Sequence, residues 1–393
     1  MVSIRILPSI IASTLLATAS LAFVSPYLGS NEHIQCPIDT PLSCGKSPFK
    51  DSCCYESPGG VLLLTQFWDY RPGIGANDTF TLHGLWPDNC DGSFEQFCDR
   101  AMEITNATEI SLSRGYGELL ERVKKVWLSN NGFDERLWLH EFNKHGTCMS
   151  TIKSNCYKKD VEPYQYIIDF FQTTLDLYDQ LPTFEWLQDA GILPSTETTY
   201  TLQEIQSALS KQFNGFNVRL GCKGNALNEI WYFFNLKGSI PAGKFIPIQS
   251  LAADSCPLTG IRFPPKVYGS DPSHPGNPGS GRGGKRGVIK LSGQPGCLIS
   301  SGEWYTSGSC ANFIMREAEF GGITLSSSKG NCDVVKGQFS CTKRNSLGQF
   351  LLDKETNDIS YGGKNEWSAD NQPRRYQKKA AASLKNKYED QSL

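Results

Sequence analysis

Fourteen cysteines divide into two even sets, ten between Cys36 and Cys256 and four between Cys297 and Cys341. No Cys-x-x-Cys knuckle of the kind that holds zinc occurs among them, so the count points to disulfides and to an oxidising compartment. Each set can close on itself, and 393 residues accordingly read as two stapled domains rather than one. With 39% apolar and 11% aromatic residues the chain has material for two cores, which excludes a wholly disordered protein.

Export needs a signal, and residues 1–22 have the pattern of one: Arg5, an apolar run from Ile6 to Leu16, and Ser20-Leu21-Ala22 as a small-x-small cleavage site. The competing reading, a membrane anchor, needs about 20 apolar residues, and this run is shorter and broken by Pro8. Asn77-Asp78-Thr79 and Asn106-Ala107-Thr108 are acceptor sequons that fit a secretory route, ending in a vacuole lumen, outside the cell or in its wall.

Residues 266–287, rich in Pro and Gly, read as a linker between a domain over 23–265 and a smaller one over 288–367. The first domain reads as α+β. Val61–Phe67 and Ile230–Leu236 are continuous apolar strands, and helical spacing runs through Tyr116–Leu128, Tyr164–Tyr178 and Leu202–Phe213, the last preceded by a Thr201/Glu204 capping box. The second is a series of short β-like runs between Gly, Ser and Asn turns, an all-β module. Residues 368–393, charged and rich in Gln, Lys and Ala, read as a disordered tail. The net charge of −2 hides an acidic front, with 20 Lys/Arg against 28 Asp/Glu through Pro265, and a basic remainder with 18 against 12. A polyanionic substrate must therefore be held by a local cluster, not by a global field.

Three of the five histidines lie in two short segments, Phe80-Thr81-Leu82-His83-Gly84-Leu85-Trp86-Pro87-Asp88 and Trp138-Leu139-His140-Glu141-Phe142-Asn143-Lys144-His145-Gly146-Thr147-Cys148. On a helix His140, Glu141, Lys144 and His145 share one edge and can converge on one anion. Four readings are open. The metalloprotease spacing is His-Glu-x-x-His, not His-Glu-x-x-x-His, and Lys144 would repel a metal. A satisfied core histidine explains any one of the three but not all of them beside a lysine and a glutamate. A serine hydrolase lacks its Gly-x-Ser-x-Gly elbow. Cleavage of an RNA phosphodiester needs a base for the 2′-OH, an acid for the leaving 5′-oxygen and cations around the phosphorane. Two imidazoles, a third histidine and Lys144 supply these without a metal or another cofactor.

At these residues the chain resembles the ribonuclease T2 family, through His-Gly-Leu-Trp-Pro and His-Glu-x-x-Lys-His-Gly-Thr-Cys, with the likeness extending over Cys36–Cys256. The resemblance implies an α+β fold with a central antiparallel sheet and flanking helices. It also implies five disulfides, Cys36–Cys54, Cys44–Cys90, Cys53–Cys156, Cys98–Cys148 and Cys222–Cys256. By motif, His145 is the general base, His83 the general acid, and His140, Glu141 and Lys144 hold phosphate and transition state. Trp86 and Asp88 look like the family's base site, with Phe94 and Gln66 as further lining, although Trp86 beside Pro87 also suits a core. A stacking site tolerates many bases. The β module resembles the extension of some fungal members, where Trp304, Tyr305 and Trp367 are either core or a sugar-stacking platform.

The expectation is a monomeric endoribonuclease of low base specificity acting on single-stranded RNA, tRNA and rRNA among it, but not on DNA, which lacks the attacking hydroxyl. Its pH optimum is expected at about 4–6. With every catalytic candidate before Pro265, the β module should be dispensable for turnover and could bind cell-wall polysaccharide or an anionic surface. The rival is a secreted binding protein on a catalytically inactive scaffold.

Overall fold

A run apolar at nearly every position is stable as a strand only where both faces of its sheet are covered. In a computed structural model, which describes residues 23–24, 32–45, 52–130, 132–268, 284–306, 310–318, 322–353, 356–362, 364, 366–368 and 383–390, that run is β1 (Val61–Phe67) at the centre of the first domain. It pairs antiparallel with β2 (Thr81–Asp88) on one side. After β3 (Arg219–Lys223), the long β4 (Ala226–Lys237) pairs with its other side. β3 runs along the first half of β4 and β5 (Lys244–Ile248) along the second, with Phe23–Val24 outside β5.

One face of this sheet carries Leu62, Leu64, Leu82, Leu85, Ile230, Tyr232 and Phe234 into the main core. The helices covering it are α1 (Gly117–Val126), α2 (Asp134–Lys144), α3 (Gln165–Asp179) and α4 (Leu202–Gln212). α3 is buried along most of its length, and Ile167, Phe170, Phe171 and Leu175 are closed off entirely. α4 starts at the capping box: Glu204 N–H donates to Thr201 Oγ1, and Thr201 N–H to Glu204 Oε2. The opposite face holds the smaller group Val61, Leu63 and Phe233, flanked by Trp86 and Trp231, and faces the catalytic candidates.

The five disulfides of this domain join the pairs that the resemblance implies, and Cys297–Cys310 and Cys332–Cys341 staple the second. The second domain is all β: β6 (Lys285–Leu291), β7 (Phe313–Glu317), β8 (Ile323–Ser327), β9 (Gly330–Val335), β10 (Gln338–Thr342) and β11 (Gln349–Leu352). Ile289, Phe313, Leu325, Phe350 and the Cys332–Cys341 bridge form its core. Trp304 and Trp367 pack against that core, and the Trp367 indole N–H is spent on the Ile359 carbonyl, which favours the core reading over a sugar platform.

Three boundaries differ from the sequence reading. Lys266 belongs to the first domain: its ammonium lies 4.5 Å from the Trp68 ring and donates to the carbonyls of Ala76 and Thr79, while Val267 N–H donates to Tyr70. Lys285–Gly287 belong to the second, paired with β7. The expected tail contains β12 (Ser383–Asp390), paired along β6 from Asn386↔Leu291 to Asp390↔Gly287. Backbone hydrogen bonding satisfies the edge of β6 whatever side chains the partner carries, so polar composition misled there. The signal at 1–22, the linker's 269–283 and the tail's 369–382 lie outside the described residues. Among the described residues no helix is long and apolar enough to cross a membrane.

Candidate active site

Leu82 and Leu85 both enter the main core although they are three residues apart, which a regular strand does not allow. Thr65 pairs with Gly84 and Gln66 with Leu82, so one extra residue, His83, stands between two partners of β1. This β-bulge turns the imidazole away from the helices. It is pinned by Thr65 Oγ1, which bonds the Gly84 backbone in both directions, and by the Trp127 indole, which donates to the His83 carbonyl at 2.7 Å.

α2 supplies the rest. Leu137, Trp138 and Phe142 are buried and orient the helix, leaving His140, Glu141 and Lys144 along another edge, with His145 as its C-cap. The Cys98–Cys148 bridge and the hydrogen bond from Phe97 N–H to the Lys144 carbonyl fasten this end to the loop after β2. Gly146 is required because a Cβ there would lie 2.6 Å from the Phe142 ring.

The two elements meet through Glu141 and Trp86. Glu141 Oε1 is 3.5 Å from His83 Nε2, and Glu141 Oε2 accepts from the Trp86 indole at 2.7 Å. Trp86 stacks on His145 with ring centres 4.9 Å apart and meets His83 edge-on at the same distance. Both histidines thus abut one indole. Gly84 makes this approach possible, because a Cβ would overlap Glu141 Oε2. Gly84→Ala is therefore expected to push Glu141 off both partners and lower kcat at least about tenfold, with the His83 ring titrating at lower pH by NMR. An unchanged kcat and ring titration would show that Glu141 does not hold His83.

The electrostatics separate the histidines. Burial alone would lower the His83 pKa, but Glu141 and Glu229 outweigh it and raise the group to about 9. His145 moves the other way, pushed well below 6.5 by burial and by Lys144 and His140 beside it. Both of its ring nitrogens are buried without a hydrogen-bond partner. Burial and Lys144 also lower His140, to about 3. With the site unliganded, these surroundings favour a neutral His140 that offers an N–H rather than a charge. Burial lowers Lys144 to about 8 against the pull of Glu141 and Asp88, and burial raises Asp88 to about 8.

Among the residues expected at a base site, Asp88 and Phe94 form a backbone bridge, and the Lys144 ammonium lies 5.9 Å from the centre of the Phe94 ring. Trp86 is in the cluster, with one face on His145 and its N–H on Glu141. Gln66 is not: its carboxamide donates to the Leu181 carbonyl and accepts from Thr183 Oγ1, on the helical side of the sheet. That corrects its assignment, since alternation along a strand buried on both faces carries no sign of which face is which. Of the sequon residues, Asn77 is exposed and Asn106 caps the helix Ala107–Ser113.

Two residues absent from the motifs complete the site. Phe67 stacks on His83 at 3.9 Å, and Glu229 Oε1 is 3.5 Å from His83 Nδ1, with its other oxygen 3.2 Å from Arg219. Glu229 had a legible signal, a lone carboxylate inside the apolar β4. A third, Gln349, comes from the β domain: its Oε1 accepts from Lys144 Nζ at 2.7 Å.

A sequence model of the Ribonuclease T2 family matches residues 59–243, and one of the RNase T2-like C-terminal domain matches residues 279–392. A Ribonuclease T2-like protein of Debaryomyces hansenii is 45% identical over 345 residues, spanning 85% of this chain and 83% of that protein. The chain belongs to the ribonuclease T2 family. The Saccharomyces cerevisiae Ribonuclease T2-like protein is 39% identical over 384 residues, covering 86% of this chain and 88% of its own length. The crystal structure of Actibind, a T2 ribonuclease, superposes with a TM-score of 0.58 at 43% identity, covering 60% of this chain and 100% of Actibind. This member is thus a T2-type endoribonuclease that carries a C-terminal domain beyond the part shared with Actibind.

Proposed function

We propose that the chain cleaves single-stranded RNA, tRNA and rRNA included, with little base preference and without a metal or other cofactor, through a 2′,3′-cyclic phosphate to 3′-phosphate ends. The observation that carries this is the opposite surroundings of two histidines on one indole: His145 has two buried, unpartnered nitrogens and Lys144 beside it, which favour its neutral form, and His83 lies between two carboxylates, which favour its charged form. Environments that split the pKa values of a pair assign its base and its acid.

In this reading His145 takes the 2′-OH proton as O2′ bonds to phosphorus, and His83 gives its proton to O5′ as the P–O5′ bond breaks. In the second step the roles reverse. His83 takes a proton from water as its oxygen bonds to phosphorus, and His145 returns a proton to O2′. Lys144 and the His140 N–H hold the nonbridging oxygens as charge builds, and Glu141 keeps His83 charged. The base lies against Trp86, Asp88 and Phe94. Asp88, raised to about 8, is a neutral carboxyl at acid pH and can both donate and accept, which suits several bases.

The seven disulfides are consistent with an oxidising compartment. We place the protein as a glycosylated monomer, modified at Asn77 and Asn106, in the vacuole lumen or outside the cell, with the basic β domain available to cell-wall polysaccharide or an anionic surface. The test of the reaction is incubation with an RNA oligonucleotide and its DNA counterpart in EDTA, with the ends identified. Cleavage of RNA alone, leaving cyclic or 3′-phosphates, is expected. Equal cutting of DNA, or activity lost to EDTA and restored by zinc, refutes the proposal.

A further inference from the structure

A catalytic cluster must be reached by its substrate, yet His83 is 6% exposed, Glu141 1%, Lys144 9% and His145 3%. The β domain contributes to this closure. Gln349, at the start of β11, has its Oε1 on Lys144 Nζ at 2.7 Å and also hydrogen-bonds His140, while its main-chain carbonyl accepts from Gln96 Nε2 at 2.8 Å. Beside it, the Gly362 carbonyl accepts from Phe94 N–H at 3.0 Å, and Lys364 Nζ lies 3.3 Å from Asp91. The next residue, Phe350, is in the core of the β domain, so Gln349 is presented from a rigid base and not from a free loop.

Lys144 and His140 are the groups that the reading above assigns to the phosphate. An amide oxygen on the ammonium and a bond to the imidazole use the same donors that a nonbridging phosphate oxygen would use. We propose that the C-terminal β domain is a self-inhibitory cap on the active site, and that Gln349 is its plug, seated where the scissile phosphate binds. The inference rests on the ribonuclease reading of the cluster. A neutral amide is a weaker partner for an ammonium than an anionic phosphate is, so RNA can displace it. A short substrate, with few other contacts to lift the domain, bears most of the cost. Gly362 fits the same picture: its φ is +58°, and a Cβ there would overlap the Phe94 carbonyl, so the close seating of the domain depends on a glycine.

The test uses the full chain with Gln349→Ala, which removes the plug, and Gly362→Asn, which tolerates a left-handed backbone but forces the domains apart. Two quantities are read, kcat/KM on a dinucleotide and the Kd of its 2′-deoxy analogue, which cannot be cleaved. Both variants are expected to raise kcat/KM and tighten the Kd by about tenfold, the scale of one hydrogen bond to a charged group. A fall in kcat/KM for Gln349→Ala with a native near-UV spectrum would overturn the cap and make Gln349 a positioning residue for Lys144. An unchanged Kd in both variants would overturn it as well. Tighter Kd values in a chain that cuts no RNA would uphold the cap while refuting the ribonuclease mechanism, so the two failures are distinguishable.

Discussion

His145→Phe and His83→Phe should each remove nearly all turnover, about 10²–10⁴-fold in kcat on a dinucleotide, the range of a positioned acid or base. Phenylalanine keeps a flat ring on Trp86 in one case and on Phe67 in the other, so the aromatic packing survives and the proton is lost. The two variants should differ in stability. His145 makes no hydrogen bond through its ring, so its loss leaves nothing stranded. Removing His83 leaves Glu141 and Glu229 without the cation between them, and His83→Phe should melt at a clearly lower temperature. His140→Phe should act mainly on KM, because its ring serves the phosphate and not the proton transfers. A large share of wild-type kcat in His83→Phe would sink the acid assignment, and equal melting temperatures for the two variants would sink the account of what holds His83 charged.

What was legible in the sequence was what sits close together along the chain. His140, Glu141, Lys144 and His145 are brought together by one helix end, and His83 and Trp86 by one strand, so helical spacing and the motifs were enough to name them. The bulge at His83 was not readable, because it shows only in the pairing of β2 with β1. Phe67 and Glu229 reach His83 from two neighbouring strands whose order in the sheet no local pattern reports. Gln349 comes from a different domain, 205 positions from Lys144, and even cysteine counts on both sides of a Pro/Gly stretch favoured two units that fold independently. Every disulfide does close within one unit. It does not prevent one from resting on the other, as Gln349 does on Lys144.

For a short substrate the surroundings of the pair predict a profile different from the expected optimum of about 4–6, which rested partly on repulsion between RNA and an acidic domain. On a dinucleotide that long-range repulsion is small, and kcat/KM reports the groups of the free enzyme. Activity needs His145 neutral, so it is lost as pH falls through a pKa well below 6.5, and needs His83 charged, so it is lost as pH rises through about 9. The profile should therefore be a broad plateau with an alkaline limb, and only long RNA should show the acid-shifted optimum. Lys144, lowered to about 8, titrates near the same limb, so the limb alone does not identify its group. Glu229→Gln separates them. It removes one of the two anions that hold His83 up and touches Arg219 rather than Lys144, so the limb should move acidward by about one pH unit or more, matched by the His83 ring in an NMR titration. If the limb and the ring both stay in place, Glu229 does not tune the acid. If the ring moves and the limb does not, the limb belongs to Lys144.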